Sequence, residues 1–343
     1  MTSVSCDVAI IGVGLGATAI ARRLAETGSR IVMLQGAGCA RFKHLEGAIV
    51  DPSILEDAFG SISTAPLTKI GSHYVFRRDQ LEAWAVEQIA QSVEIVSDFE
   101  EASTIPHDTG KTTIVDATGE HAVLANSIVL TEGANPKIGI AARLRQDFEP
   151  EDMIHFGRTI VKGAQISVPA TGVWRTQGNM PSRYMLIPQP DGVSVGVSVR
   201  IENVMRAGRD GRAILAEFLK SDMAEDLGIH GDHAEIGMEL VPLLPDRGKG
   251  MIGSHNIMIS LDANGVIDPR NLRRYDAMLS AGREMGSMMA REWPNLVEWQ
   301  ELGVSMWDVF TSGRRPYHDD RTTGFIEDGR GKARGLLGRL LNR

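Results

Sequence analysis

The segment Gly12-Val13-Gly14-Leu15-Gly16-Ala17 constrains this chain more than any other, because it separates a short apolar run from an alanine-rich one. Residues 6 to 35 form one βαβ pattern: a strand at Asp7–Ile11, a glycine turn at Gly12–Gly16, a helix to about Glu26, Gly28 as helix stop, and a strand at Ile31–Leu34. Strands joined through a helix pair in parallel. In that context G-x-G-x-x-G/A is the dinucleotide fingerprint. Gly12 permits the tight turn, Gly14 and Gly16 leave backbone open to a pyrophosphate, and Ala17 keeps the helix close to the strand. The helix start adds free N–H groups and a positive dipole end. The competing reading is a glycine-rich structural turn.

The usual fingerprint ends its second strand on an acidic residue that accepts hydrogen bonds from the adenosine ribose. Here Gln35 holds that place. It can accept a bond without carrying charge, so it is either a ribose contact or a plain strand-end residue.

Beyond the unit, residues 79–92 predict a helix with Leu81, Trp84, Ala85 and Ile89 near a 3.6 period, and 93–96 a strand. Two further β-rich runs, 112–116 and 127–131, lead to the turn Glu132-Gly133-Ala134-Asn135. From about 153 to 203 short alternating runs separated by Gly, Pro and Asp predict an antiparallel sheet. A helix over 211–226, strands at 235–241 and 256–260, and a helix over about 271–292 follow. The expected fold class is α/β: a Rossmann-like domain from 1–150 and 240–292, an inserted β-rich substrate domain at 151–239, and a helical tail at 293–343.

With 343 residues the chain can bury a sizeable core. Its net charge of -8 gives no general field for nucleic acid. Cys6 and Cys39 lie outside any C-x-x-C spacing, which argues against a zinc ribbon, a dithiol pair or a four-thiolate cluster and favours the cytoplasm. No signal-peptide pattern opens the chain, and no apolar run reaches the roughly 18 residues of a membrane span.

Several segments together resemble the group of FAD proteins that includes FixC, electron-transfer-flavoprotein–quinone oxidoreductase and geranylgeranyl reductase. They are GVGLGATAIARRLAETGSRIVML, YVFRRDQLEAWAVEQI, SIVLTEGANPKIGIAARL, SRYMLIPQPDGVSVGVSV, ELVPLLPDRG and NIMISLDANGVIDP, spread in the group's order over roughly residues 5 to 292. The resemblance implies FAD as cofactor and redox chemistry on a hydrophobic or quinone-like small molecule. By position, Asp262 stands for the aspartate that contacts the ribityl and pyrophosphate region, with Ala263 and Gly265 keeping its turn. Arg77 stands for the arginine that reaches towards the cofactor, and Glu132-Gly133 for Asp-Gly. Asp262 read by itself is equally a turn or N-cap residue.

The chain also departs from the group. Leu261 replaces a glycine, and Arg273 and Arg274 replace Glu-Gly beside the isoalloxazine. Each arginine either points inward, placing fixed positive charge near the ring, or is solvated surface. No catalytic side chain is assigned, because the flavin carries the chemistry. The nine histidines, His230 and His233 included, show no metal spacing, so no metal is expected. Met278, Met285, Met288 and Met289 at helical spacing predict core. The basic tail 332–343 fits a packing helix, with a membrane surface or a protein partner as the other options. Two rival functions remain: a redox-inactive flavin-fold subunit or scaffold, and an NAD(P)-dependent dehydrogenase that would leave the later segments unexplained.

Overall fold

The computed structural model describes residues 2–36, 43–97, 99, 103–106, 111–119, 121–133, 139, 153–166, 169–176, 180–242, 253–254, 257–259 and 271–292. Chain order begins with β1 (Thr2–Ile11), α1 (Leu15–Ala25) and β2 (Ile31–Leu34), then a 3-10 turn at Lys43–Leu45. Next come β3 (Gly47–Val50), α2 (Pro52–Phe59), β4 (Thr68–Ile70), β5 (His73–Arg77), α3 (Arg78–Glu87) and β6 (Glu94–Val96). β7 (Ser103–Pro106), β8 (Thr112–Val115) and β9 (His121–Leu130) close this half. β10 (Met153–Lys162), β11 (Ala170–Thr176), β12 (Met180–Gln189) and β13 (Gly192–Arg200) follow, then α4 (Ile201–Ala207), α5 (Gly211–Phe218) and α6 (Asp222–Asp226). The order ends with β14 (Gly237–Pro242), β15 (Gly253–Ser254), β16 (Ile257–Ile259) and α7 (Arg274–Glu292).

The first sheet runs β15-β16-β9-β1-β2-β6, and its β16, β9, β1, β2 and β6 pair in parallel. The outer edge of β9 is shared: residues 122–125 pair with β8 and residues 128–130 with β16. β2 has all four residues buried, as a strand covered on both faces should. The connection after β1 leads towards β2 and the later strand β16 lies beyond β9, so order reverses between β1 and β9, where α/β sheets open a crevice beyond their carboxyl ends.

Strands from 153 to 242 form a separate antiparallel sheet, β11-β12-β13-β10-β14, in agreement with the alternating pattern. One face packs on α5 and α6 through Val193, Val195, Val197, Tyr184 and Phe218. The other meets a third sheet, β3-β5-β4, through Ile49, Val75, Phe156, Met185 and Ile187. The sequence expectation missed that third sheet and α2, since three- to five-residue strands carry too few alternations to register. The expected helix over 211–226 is two helices, broken at 219–221 where Ser221 caps α6 by accepting from Ala224 N. Met278, Met285 and Met289 are buried, and Met288 packs against the same core, as their spacing predicted.

α7 crosses α1 at backbone contact. A Cβ on Gly282 would stand 2.3 Å from the Gly16 carbonyl oxygen, and one on Gly286 would stand 2.8 Å from Cβ of Arg23. Gly282→Ala tests this packing: helix propensity alone would add up to about 1 kcal/mol of stability. The clash with fixed backbone predicts instead a net loss of about 1–3 kcal/mol in urea unfolding. A gain would show that the helices can separate without cost.

Candidate functional site

The glycine turn opens directly from β1. Gly12 has φ of +113°, and a Cβ there would lie 2.4 Å from the Thr131 carbonyl oxygen, so both conformation and space demand glycine. Thr131 locks the approach: its N–H and its hydroxyl each donate to the Ile11 carbonyl at 2.8 Å. Gly14 is the N-cap of α1 and provides no side-chain cap, which leaves the first N–H groups of the helix without a side-chain acceptor. Among the described residues, the space where its Cβ would point holds only Glu82 Oε1, at 3.8 Å. Gly16 and Ala17 are buried; Gly16 serves the crossing with α7, and Ala17 lies in the core beside Ala281.

Gln35 follows the last residue of β2 and is half-buried. Its N–H donates to Val96 O and its carbonyl accepts from Phe99 N, both at 2.9 Å, so its backbone is fixed at the sheet end. Glu132 and Gly133 follow Thr131 just past the end of β9, with Gly133 at φ +82° and the Glu132 carboxylate accepting from Gly139 N at 3.4 Å. The ends of β1, β2 and β9 thus bring Gly12, Gly14, Gln35, Glu132 and Gly133 to one edge of the parallel sheet. Asp262, Ala263, Gly265 and Leu261 lie outside the described residues.

Arg77 is partly exposed and pairs with Asp79 at 3.3 Å. Its neighbour Arg78, which the sequence reading passed over, binds the glutamate that stands beside Gly14. Arg78 Nε reaches Glu82 Oε1 at 2.9 Å and Nη1 reaches Glu46 Oε2 at 2.9 Å. Lys43 Nζ lies 2.5 Å from Glu82 Oε2. Burial pushes the Glu82 carboxyl up, but Arg78 and Lys43 more than reverse this and hold it below the usual carboxylate range. A signal existed: on the α3 stripe of Leu81, Trp84 and Ala85, Arg78 and Glu82 are an i,i+4 pair of opposite charges on a face otherwise apolar.

Glu46 gathers a larger network. Its carboxylate, 4% exposed, accepts from Tyr275 OH at 2.6 Å, from Arg78, and from Arg158 and Arg274. Arg158 also pairs with Glu239. The guanidiniums of Arg158 and Arg274 stand 4.9 and 5.5 Å from the Phe156 ring centroid. Arg274 therefore points inward and is bound up, which rules out the solvated-surface option.

Arg273 is engaged as well. It lies 3.3 Å from Asp51 Oδ2 and 2.7 Å from Asp276 Oδ2, while Asp276 Oδ1 accepts from Asp51 N at 2.8 Å. Burial raises the Asp276 carboxyl to about 6, against the bond from Asp51 and the pull of Arg273. Asp51 moves the other way: its bonds with Ser53 and the charge of Arg273 overcome its burial and lower it.

His230 and His233 are exposed, with His233 Nδ1 2.8 Å from Ala234 O. No group of three or more metal-ligating side chains occurs among the described residues. No helix among them is long and apolar enough to cross a membrane.

Comparison with known proteins gives a consistent result. No protein-family model matches the chain. It is 23% identical to protein FixC of Rhizobium meliloti (strain 1021) over 290 residues, covering 71% of this chain and 66% of FixC, slightly under two thirds of that protein's length. Among solved structures it resembles a geranylgeranyl bacteriochlorophyll reductase-like protein from Thermoplasma acidophilum, with TM-score 0.70, 16% identity, and 94% and 86% of the two chains covered. A triple mutant of the flavin-dependent brominase Bmp2 superposes with TM-score 0.69 at 14% identity, over 90% and 86% of the chains. PqsL, a probable FAD-dependent monooxygenase from Pseudomonas aeruginosa, superposes with TM-score 0.62 at 12% identity, over 93% and 98%. The fold is that of the FAD-dependent reductases, monooxygenases and halogenases, and the resemblance to the FixC and geranylgeranyl-reductase group holds at the level of a divergent relative.

The opposite displacements of Asp276 and Asp51 give a pH signature. A carboxyl raised from 3.8 to about 6 contributes stability that is complete below 3.8 and lost as pH rises through 6, whereas the Asp51 contribution is lost only below 3.8. Unfolding of wild type and Asp276→Asn from pH 4 to 7 should show wild type losing up to about 3 kcal/mol relative to the variant. Parallel curves would mean that Arg273 keeps Asp276 charged throughout.

Proposed function

We propose that this chain is an FAD-dependent oxidoreductase acting on a hydrophobic or quinone-like small molecule. The observation that supports it most is the uncapped start of α1 beside an open Gly14, at the reversal point of the parallel sheet. The diphosphate would rest on Gly14 and the first N–H groups of α1, with Gln35 facing the adenosine ribose. Glu132 and Gly133 would line the crevice, and Asp262, Ala263 and Gly265 would complete the set. Arg77, expected to reach the cofactor, shares that place with Arg78 in this reading, since Arg78 binds the Glu82 carboxylate that stands beside Gly14. Residues 1–150 and 240–292 would hold the cofactor, 151–239 the substrate, and 293–343 would form a helical tail.

FAD, when bound, supplies the hydride or electron transfer; the protein supplies orientation and electrostatics. Arg78, Arg158 and Arg274 provide fixed positive charge that Glu46 and Tyr275 orient. Thr131 and Gly12 hold the floor of the crevice rigid. The names of the relatives cover reduction, monooxygenation and halogenation, and the reading leaves reduction, oxidation and hydroxylation all open. The spacing of the cysteines favours the cytoplasm as the compartment; a protein partner or a homo-oligomer belongs to the proposal as well.

A second reading, a flavin-fold subunit without redox activity, draws support from Arg274. By the resemblance it stands beside the isoalloxazine, and here it is committed to Glu46 and Tyr275. The absorption spectrum of the purified protein separates the two. The first reading expects a yellow protein or one that takes up FAD, and expects Gly14→Val to abolish uptake by filling the approach path. A colourless protein that shows no FAD binding in calorimetry would leave the second.

A further inference from the structure

A diphosphate seated on Gly14 would meet a carboxylate. Glu82 Oε1 stands 3.8 Å from the position of a Gly14 Cβ, and no other atom of the described residues comes within 4 Å of that position. Like charges brought together in a shielded site repel, so such a seat calls for cations shared between them. Two are at hand: Lys43 on Glu82 Oε2 at 2.5 Å and Arg78 on Oε1 at 2.9 Å. They differ in how firmly they are held. Arg78 is also tied to Glu46, and its backbone N–H donates to the Glu46 carbonyl at 2.9 Å. Lys43 has Glu82 as its one ion-pair partner among the described residues, and it sits on the 3-10 turn that precedes β3.

We infer that Lys43 is a binding residue for the cofactor's diphosphate and that Glu82 is its counter-charge, holding the ammonium at the lip of the glycine turn until the diphosphate takes it over. Lysine suits the exchange, because a compact ammonium on a flexible stem can pass from one oxygen to another where a bidentate guanidinium cannot. Glu82 then sets affinity in the opposite sense: it positions Lys43 but opposes the anion. The inference rests on the dinucleotide reading above.

The test is calorimetric titration of the purified chain with ADP and with FAD, using wild type, Lys43→Met, Glu82→Gln and the double variant, at two salt concentrations. Lys43→Met should weaken both ligands about tenfold and flatten the salt dependence, whereas Glu82→Gln should tighten both several-fold. Lys43 would remain as the donor to phosphate in Glu82→Gln, so the double variant should lose that gain. Wild-type affinity in Lys43→Met, with only its unfolding midpoint lowered, would make the pair a structural tie between the 3-10 turn and α3 and would overturn the inference. Weakened binding in Glu82→Gln would also overturn it, because the carboxylate would then be part of the receptor. Failure of wild type to bind either ligand is a different result, which removes the dinucleotide reading itself.

Discussion

One carboxylate, Glu46, is placed where four elements meet. The 3-10 turn at Lys43–Leu45 delivers it, and α3, β10 and α7 each send it an arginine: Arg78, Arg158 and Arg274. Residues far apart in sequence thereby converge within a region from which water is largely excluded. Such a cluster is not stabilising merely because its charges attract, since desolvating them costs several kcal/mol per ion. Its force lies in consequence: removal of the carboxylate takes one negative charge from three inward-facing guanidiniums at once. Glu82 and Glu239 supply the remaining negative charge, on Arg78 and Arg158 respectively.

The seating of the antiparallel sheet follows from the same place. Gly47, next to Glu46, donates its N–H to Ser194 Oγ at 2.8 Å, and Ser194 donates in turn to the Leu45 carbonyl at 3.1 Å. A side chain on Gly47 would collide with Ser194 and Gln189. Around these polar bonds the apolar residues Ile49, Val75, Phe156, Met185, Ile187 and Leu272 pack, so the third sheet backs one face of the antiparallel sheet. On the opposite flank Gly282 and Gly286 bring α7 against α1. The arginine pair at the start of α7 is thus aimed by a helix crossing whose distance two glycines set.

Much of this was legible in the sequence. The βαβ unit emerges where expected because a buried parallel strand, a glycine turn and an alanine-rich helix are local signals, and the strand Ile31–Leu34 matches to the residue. The antiparallel region was visible in its period-2 alternation. The Glu46 network was not, because its members are separated by as many as 229 positions between Glu46 and Tyr275, and no local pattern records which arginine a lone glutamate will meet. Arg78 was passed over for a similar reason: motif position pointed to Arg77, and no local pattern records that the next residue reaches Glu46 as well as Glu82. Arg273 and Arg274 read equally as inward-pointing or as solvated surface, and the buried Asp276 and Glu46 pair with them.

Glu46 joins these elements, and urea unfolding of Glu46→Gln measures how far they depend on it. The substitution keeps the shape and removes the charge, so three guanidiniums lose their common partner. The account predicts a loss of about 3–5 kcal/mol, the range for breaking a buried ion pair from one side. A change within about 0.5 kcal/mol, the size of an ordinary surface substitution, would show that the arginines find other partners and that the junction does not depend on this carboxylate.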